Sequence, residues 1–233
     1  NNIYNFIDNP IIILLYHRVI DIENDNQLLA VSVKNFEEHI KFLSENYNIL
    51  SFEKEWGKVS KPSVIITFDD GYADNYYNAL PILERYKVPA TIFVATQNID
   101  TNKEFWFDCI ENYFFNNENL PNSIKLNIAK KTFEFSLKND NEIKDSYAAI
   151  HLLLKNLLPD ERKKVLDELK KVLNFTGMDR KKYRTLNSAE LRMLDNSNYI
   201  SVGAHTVSHT KLSLQSYDEQ YEEIRNSKIE LEK

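Results

Sequence analysis

The fold is indicated most directly by the stretch Val64-Ile65-Ile66-Thr67-Phe68-Asp69-Asp70-Gly71-Tyr72, in which an apolar segment runs into two adjacent carboxylates and a glycine. Consecutive side chains of a strand point to opposite faces, so Asp69 and Asp70 can face one point only if the strand ends and the backbone turns. Gly71 permits such a turn. Adjacent carboxylates repel each other unless a cation neutralises one of them. The stretch predicts either a metal-binding strand end or an ordinary turn with solvated carboxylates.

A second strand-like stretch ends in two histidines four positions apart, in the sequence Ile200-Ser201-Val202-Gly203-Ala204-His205-Thr206-Val207-Ser208-His209. If the chain turns helically after His205, both imidazoles can face one point. Two histidines and one carboxylate are a common ligand set for catalytic divalent metals. We therefore predict a metal site at Asp70, His205 and His209. The pattern lacks the glutamate that follows the first histidine of zincin proteases, which argues against that class.

Glycine is scarce in this chain. Only four occur in 233 residues, yet Gly71 and Gly203 both fall within the two motifs. Since glycine tolerates close backbone approach and unusual dihedral angles, this placement predicts tight backbone geometry at both motifs.

The two motifs resemble those of a known enzyme family. Thr67-Phe68-Asp69-Asp70-Gly71-Tyr72 and His205-Thr206-Val207-Ser208-His209 are similar to the first two motifs of the polysaccharide deacetylases, the family 4 carbohydrate esterases that share the NodB homology domain. The resemblance extends to Val88-Pro89-Ala90-Thr91-Ile92-Phe93-Val94 and to Leu14-Leu15-Tyr16-His17-Arg18-Val19. It covers most of the chain except its middle, and in style it is nearest to the poly-β-1,6-N-acetylglucosamine deacetylases.

The resemblance implies metal-dependent hydrolysis of N-acetyl groups on an N-acetylated polysaccharide or oligosaccharide of the N-acetylglucosamine type. Carried over to this sequence, Asp69 is the general base, and Asp70, His205 and His209 hold a divalent metal. Zinc is the expected metal, with cobalt, nickel and manganese as alternatives. Tyr72, beside the site, is a candidate for binding a sugar ring by stacking.

Two other functions are compatible with the same residues. One is a glycan-binding module that keeps the fold and has lost catalysis. The other is Fe(II)-dependent oxidation, which two histidines and one carboxylate can also support. Asp69 argues against the oxidation, because an oxygenase does not need an extra base at that position.

His17 is the candidate general acid. Many members of the family use a histidine from a later Leu-x-His motif, but this sequence ends at Lys233 before such a motif. In the branch that acts on poly-β-1,6-N-acetylglucosamine, a Tyr-His pair near the N-terminus supplies the acid, and Tyr16-His17 ends an apolar run here. The alternative is a histidine that packs at the rim of the sheet. A later Arg/Pro/aromatic-Gly segment of the family is also absent, so we expect the sequence to be a fragment.

Five predicted strands alternate with helical segments, which favours an α/β fold with parallel strands and active residues at the carboxyl ends of those strands. The predicted strands are 11–17, 48–51, 64–69, 90–96 and 200–205. The family resemblance implies a distorted, TIM-like (β/α) barrel of seven or eight strands. Two or three strands are then lacking, and the barrel is expected to be incomplete at its C-terminus.

The middle of the chain interrupts the barrel pattern and predicts a helical insertion. We divide the chain into a first part of the barrel (1–102), the insertion (103–185) and a continuation of the barrel (186–233). Within the insertion, the segments 124–128 and 132–137 predict a hairpin, and 142–158 and 161–173 predict two helices. The insertion is expected to lie near the mouth of the active site. His151 within it has no special signal and is interpreted as an ordinary packed or surface histidine.

Composition limits the partners. A net charge of −6 and a pI near 5.5 argue against nucleic acid, which requires a basic surface. No apolar run approaches the roughly 20 residues that span a bilayer, and no signal peptide is recognisable. The expected partner is the glycan substrate, and the sequence leaves protein partners open. Location in the cell envelope after removal of a leader, or in the cytoplasm, both stay open.

Overall fold

The structure, a computed structural model, describes residues 9–54 and 56–233, and a parallel sheet with helices packed against it forms its centre. The strands are β1 (Ile11–Tyr16), β2 (Arg18–Val19), β3 (Ala30–Val31), β4 (Asn48–Leu50), β5 (Ser63–Phe68), β6 (Ala90–Val94), β7 (Ser123–Ile128), β8 (Lys131–Ser136) and β9 (Ile200–Ala204). The helices are α1 (Val33–Asn46), α2 (Leu80–Tyr86), α3 (Trp106–Phe115), α4 (Asp140–Lys155), α5 (Pro159–Val172), α6 (Ser188–Asp195) and α7 (Tyr217–Leu231). The predicted α/β class with a parallel sheet is confirmed.

The central sheet has the strand order β1-β5-β6-β9, and β4 also pairs with β5. All pairs in this sheet are parallel, and every residue of β5 is buried. Since β1 pairs along the whole of β5, the strands β4 and β6 share the other edge of β5, β4 at its first half and β6 at its end. The five predicted strands are all observed, to within two residues at each end.

The register places the candidate residues side by side. Tyr16 pairs with Phe68, and the Asp69 amide donates to the Tyr16 carbonyl over 3.0 Å. At the other end of the sheet Val94 pairs with Ala204, and the His205 amide donates to the Val94 carbonyl over 2.9 Å. The carboxyl ends of β1, β5, β6 and β9 therefore form one edge, which carries the candidate site.

The sheet of the described residues is open. Its strand order begins with β1 and ends with β9, and these two strands do not pair with each other in residues 9–54 and 56–233. The expected TIM-like barrel, predicted to be incomplete at its C-terminus, is not confirmed by this topology. The parallel α/β architecture is observed independently of barrel closure.

The core beneath the site is built from the sheet and the helices that cover it. Val64, Ile66 and Phe68 of β5 face one side of the sheet, as the two-residue period of a strand requires. They belong to a buried cluster that includes Phe36 and Ile40 of α1, one helical turn apart. The N-cap Ser32 accepts a hydrogen bond from the Asn35 amide and so fixes the start of α1.

The middle of the chain has a hydrophobic cluster of its own. It contains α3, the hairpin β7–β8, α4 and α5, and its buried apolar residues all lie between positions 110 and 175. Two consecutive residues with positive φ, Ala129 and Lys130, connect β7 to β8, as a tight hairpin turn requires. The hairpin and both helices lie within three residues of their predicted bounds. The boundaries 103–185 of the insertion stay a prediction.

Several elements were not predicted from the sequence. They are the short pair β2–β3 and the helices α2, α3 and α6. None of the helices found in residues 9–54 and 56–233 combines the length and apolar character needed to cross a bilayer.

Candidate active site

The two adjacent carboxylates follow β5 in an unusual backbone turn. β5 ends at Phe68, and both Asp70 and Gly71 have left-handed backbone angles, with φ of +72° and +77°. A Cβ atom at Gly71 would lie 2.8 Å from the side chain of Val94, so a larger residue does not fit there. As predicted, the turn brings the two carboxylates to one place, because Asp69 and Asp70 both approach the same imidazole, that of His205.

The two histidines are brought together by a loop and not by the helical turn that their spacing suggested. Thr206 and His209 have left-handed φ values of +65° and +49°, and the segment between the histidines is irregular. Their rings lie 5.1 Å apart between centroids. Gly203, just before them, is in close contact with Phe93, since a Cβ atom there would lie 2.6 Å from that ring. The predicted tight geometry at both glycines is observed.

The ligand atoms of Asp70, His205 and His209 lie within 4.8 Å of one another. Oδ1 of Asp70 is 3.0 Å from Nε2 of His209 and 3.7 Å from Nε2 of His205. Tetrahedral ligands at about 2.1 Å from one ion lie about 3.4 Å apart, so these spacings fit a zinc-sized ion. Oδ1 of Asp70 is also buried and accepts no well-formed hydrogen bond. A buried, unsatisfied carboxylate oxygen facing two imidazoles is suited to hold a cation.

The two carboxylates differ in their electrostatic surroundings. Burial acts to raise the pKa of Asp70, but the contact with His209 and the neighbouring imidazoles outweigh it, and the pKa is lowered below its usual value. For Asp69, partial burial has the largest effect and raises the pKa, although His205 acts to lower it. Burial lowers the pKa of His205, which favours the neutral imidazole that metals bind. Asp70 is thus suited to be a ligand, and Asp69 is the carboxylate more easily protonated.

His17 lies between β1 and β2, next to the two carboxylates. It lines a cavity of about 540 Å³ together with Asp70 and His209. Its charge acts to lower the pKa of both Asp69 and Asp70, so it lies near them. Its backbone carbonyl accepts a hydrogen bond of 2.9 Å from Asn75. The structure therefore brings all five residues predicted as base, acid and metal ligands to one site.

Tyr72 is not exposed to this cavity. Its ring is fully buried, and its hydroxyl donates a 2.7 Å hydrogen bond to Asp108 of α3. The guanidinium of Arg18 covers the ring at 4.4 Å from the ring centroid. The ring is therefore not available to stack on a sugar, and the predicted substrate-binding role of Tyr72 is not supported. Its position beside the site in sequence was misleading, because the chain turns it towards the insertion.

Glu223 on α7 supports the histidine loop and was not predicted. Its carboxylate accepts hydrogen bonds from the amides of Val207 and Ser208, at 2.8 and 2.9 Å, and from the Ser208 hydroxyl at 2.7 Å. These three bonds hold the loop between the two candidate ligands against α7. No sequence signal distinguishes Glu223 from the other acidic residues of this helix.

A buried polar cluster beneath the site joins the sheet to the middle of the chain, and it too was not predicted. Arg18 forms a buried ion pair with Asp74 at 2.9 Å, and Arg180 pairs with Glu104 at 2.7 Å. Asp108 lies near both ion pairs. Burial raises the pKa of Asp108 to about 8, even though the Tyr72 hydroxyl and the nearby arginines act to lower it. Asp108 is therefore a carboxyl group that stays protonated near neutral pH.

The comparison with known proteins agrees with this geometry. The sequence model of a family described as polysaccharide deacetylase matches residues 57–233. YxkH of Bacillus subtilis (strain 168), provisionally named a polysaccharide deacetylase, is 39% identical over 94 residues, which cover 37% of this chain and 32% of that protein. The poly-beta-1,6-N-acetyl-D-glucosamine N-deacetylase of Staphylococcus aureus (strain MSSA476) is 42% identical over 76 residues, which cover 30% of this chain and 26% of that protein. The matched stretches span a third or less of these relatives.

Solved structures share the fold. BA0330 of Bacillus anthracis, provisionally titled a polysaccharide deacetylase, superposes with a TM-score of 0.53 and 21% identity, covering 95% of this chain and 46% of that one. BC0361 of Bacillus cereus, titled a polysaccharide deacetylase, superposes with a TM-score of 0.52 and 22% identity over the same shares of the two chains. At these identities the likeness concerns the fold alone.

Proposed function

Because the chain belongs to the polysaccharide deacetylase family, we propose that it is a metal-dependent hydrolase that removes N-acetyl groups from a glycan of the N-acetylglucosamine type. The observation that carries this proposal is the convergence of Asp70, His205 and His209, with the second carboxylate of Asp69 beside them. Three ligands and an adjacent free base are the parts that amide hydrolysis at a metal centre requires.

Asp70, His205 and His209 would hold the ion, and zinc is the metal we propose, with cobalt, nickel or manganese as substitutes. A divalent ion in such a site lowers the pKa of water towards about 7 and polarises a carbonyl group. The neutral state of His205 and the lowered pKa of Asp70 both favour this ligand set.

Asp69 is proposed as the general base. Its carboxylate is 22% exposed and lies 4.0 Å from His205, so it is beside the ligands and open to water. A group in this position can accept the proton of an attacking water, provided that it comes within hydrogen-bond reach in the substrate complex.

His17 is proposed as the general acid that gives a proton to the departing amine. It lines the cavity together with Asp70 and His209, and it is not part of the ligand cluster. The proposed acid and base thus directly follow two neighbouring strands, β1 and β5.

The proposed substrate is a neutral polymer or oligomer of N-acetylglucosamine. The name of the Staphylococcus aureus relative gives such a polymer, and the net charge of −6 makes strongly anionic polymers less favourable partners. We also propose that the open sheet belongs to a distorted, TIM-like barrel. A structure of a longer chain, in which a strand pairs with the outer edge of β1, would support that part.

Acetate release from N-acetylglucosamine oligomers tests the function. The zinc-loaded protein should release acetate, and Asp69→Asn should lower the rate by at least about 100-fold while it retains the metal. The matched control is Asp195→Asn, which changes an exposed aspartate on α6 and should leave the rate unaltered. Undiminished turnover by Asp69→Asn would show that Asp69 is not the base. Oligomer binding without any acetate release would instead favour a glycan-binding module.

A further inference from the structure

The cavity at the candidate site has two walls of different origin. One wall is formed by residues at the strand ends, including His17, Asp70 and His209. The other is formed by residues of α3 and α4, including Trp106, His151 and Lys155. Its volume of about 540 Å³ is in the range of pockets that enclose whole ligands, and a single acetamide group needs much less space. The wall from α3 and α4 therefore has room to contact another part of the substrate.

His151 on this wall is held by neighbouring rings. Its imidazole stacks on Trp106 at 5.1 Å between centroids and an interplanar angle of 26°. The buried guanidinium of Arg162, on α5, lies 4.8 Å from the centre of the same indole ring. Residues of three helices thus fix one half-buried imidazole at the cavity. A side chain that is fixed before binding loses less conformational entropy when a ligand arrives.

A row of aromatic rings separates His151 from the metal ligands. Phe107 contacts His209 at 5.5 Å between centroids, and it contacts Trp106 at 5.4 Å. His151 contacts Trp106 in turn, lines the same cavity as His209 and is not among the clustered ligands. It is therefore available to contact a part of the substrate other than the acetamide.

The chemistry of this wall suits a sugar. Burial lowers the pKa of His151, with Lys155 acting in the same direction, so the imidazole is neutral at pH 7 and offers one donor and one acceptor. Lys155 lies one helical turn further along α4, is exposed, and has no ion-pair partner among the residues that the structure describes. Leu152, which also lines the cavity, is 62% exposed and offers apolar contact. Sugars present hydroxyl groups around an apolar ring, which matches this combination.

We propose that His151 and Lys155 form a second sugar subsite, which binds the residue next to the N-acetylated sugar at the metal. The subsite makes the substrate an oligomer or polymer and disfavours a single sugar. This inference rests on the proposed deacetylase function, which it deepens by assigning chain-length selection to α4.

Affinity for sugars of different length tests the subsite without turnover. In zinc-loaded Asp69→Asn protein, calorimetry should give the dissociation constants of N-acetylglucosamine and of its tetramer. His151→Ala and Lys155→Ala should each weaken tetramer binding about three- to tenfold, as the loss of one hydrogen bond predicts, and change monomer binding less than twofold. His39→Ala, at an exposed histidine of α1, is the matched control and should alter neither constant.

Zinc affinity and the circular dichroism spectrum of each variant separate a lost subsite from a disturbed fold. Lys155 is exposed, so its substitution keeps the test decisive even if His151→Ala unfolds the helices. Equal losses for monomer and tetramer, or no loss for the tetramer, would overturn the subsite. If the unsubstituted protein releases no acetate but its tetramer affinity depends on His151, the subsite stands and the proposed reaction fails.

Discussion

The sheet and the inserted helices contribute to the same cavity in different ways. At the sheet, the chemical groups follow directly after strands, and short motifs fix them through local backbone turns. At the inserted helices, the contributing side chains are supported by packing between α3, α4 and α5, far apart in sequence. The difference teaches that one cavity can be built by two separate cores, one for the proposed reaction centre and one for the proposed sugar subsite, each with its own apolar cluster.

The two regions meet both at the buried polar cluster and at a small apolar cluster of Tyr72, Ala95, Phe105 and Phe107. Tyr72 follows the turn at Asp70 and donates to Asp108 of α3, whose backbone carbonyl accepts a hydrogen bond from Arg180, the partner of Glu104 and Glu111. Buried ion pairs cost desolvation energy, and removal of one partner leaves an unpaired charge. The orientation of the helices relative to the site therefore depends on a few specific polar contacts together with this apolar cluster.

Removal of a proposed metal ligand should give the largest difference between the two regions: zinc binding is largely lost while the helices stay folded. His209→Ala should reduce zinc affinity by more than about 100-fold, because it removes one of three ligands, whereas loss of a supporting residue costs about 10- to 100-fold. A competition titration with a chromophoric chelator measures this change, with His39→Ala as the control.

The inserted helices should stay folded in His209→Ala, since their apolar cluster does not contain His209. The two tryptophans are Trp56 and Trp106, so in a Trp56→Phe background Trp106 fluorescence reports on the helices. Unchanged zinc affinity would contradict the ligand assignment.

Removal of the loop support should have an intermediate effect. Glu223→Gln keeps one accepting oxygen and loses the other, so the loop that carries His205 and His209 is held less firmly. We expect zinc affinity to fall about tenfold, at the lower end of the range for supporting residues. Glu222→Gln, the adjacent exposed glutamate on α7, is the control. Equal affinities of these two variants would show that the three hydrogen bonds to Glu223 do not support the metal site.

The contact between the two regions should have the smallest effect on zinc affinity, and it should be visible instead as a pH dependence of stability. The folded protein keeps a proton on Asp108 up to about pH 8, whereas an unfolded chain releases it near pH 3.9. The free energy of unfolding should therefore fall as pH rises between these values, by up to about 1.4 kcal/mol per pH unit from this group. Asp108→Asn cannot ionise, so its free energy of unfolding should lack this contribution.

Urea unfolding at pH 5, 6, 7 and 8 measures the difference between Asp108→Asn and the unsubstituted protein. Asp145→Asn, at an exposed aspartate of α4, should follow the unsubstituted protein. Parallel pH profiles for Asp108→Asn and the unsubstituted protein would mean that Asp108 is ionised in the fold.

Much of the sheet could be predicted from the sequence, because each parallel strand is an apolar run that ends at a polar residue. The convergence of Asp70, His205 and His209 also followed from their positions after two such strands. The backbone conformation between the two histidines could not be predicted from the sequence. A helical turn was expected, but Thr206 and His209 adopt left-handed angles that their residue types rarely take.

The contacts of the cavity wall formed by α3 and α4 could not be predicted from the sequence, for a physical reason. Tyr72 and Asp108 are 36 positions apart, and Trp106, His151 and Arg162 come from three different helices. Residue types alone do not tell which helix faces pack together, so His151 looked like an ordinary histidine and Tyr72 looked like a sugar platform. Once the helices are placed, Tyr72 is buried and His151 lines the cavity.

The left-handed residues of the two motifs also bear on protein engineering. Asp70, Thr206 and His209 each hold a conformation that costs about 1–2 kcal/mol for a residue other than glycine. A redesign guided only by thermal stability would replace such residues with glycine or asparagine. At Asp70 and His209 that gain would remove the side chains that gather at the site. Stabilising substitutions should therefore be kept away from both turns.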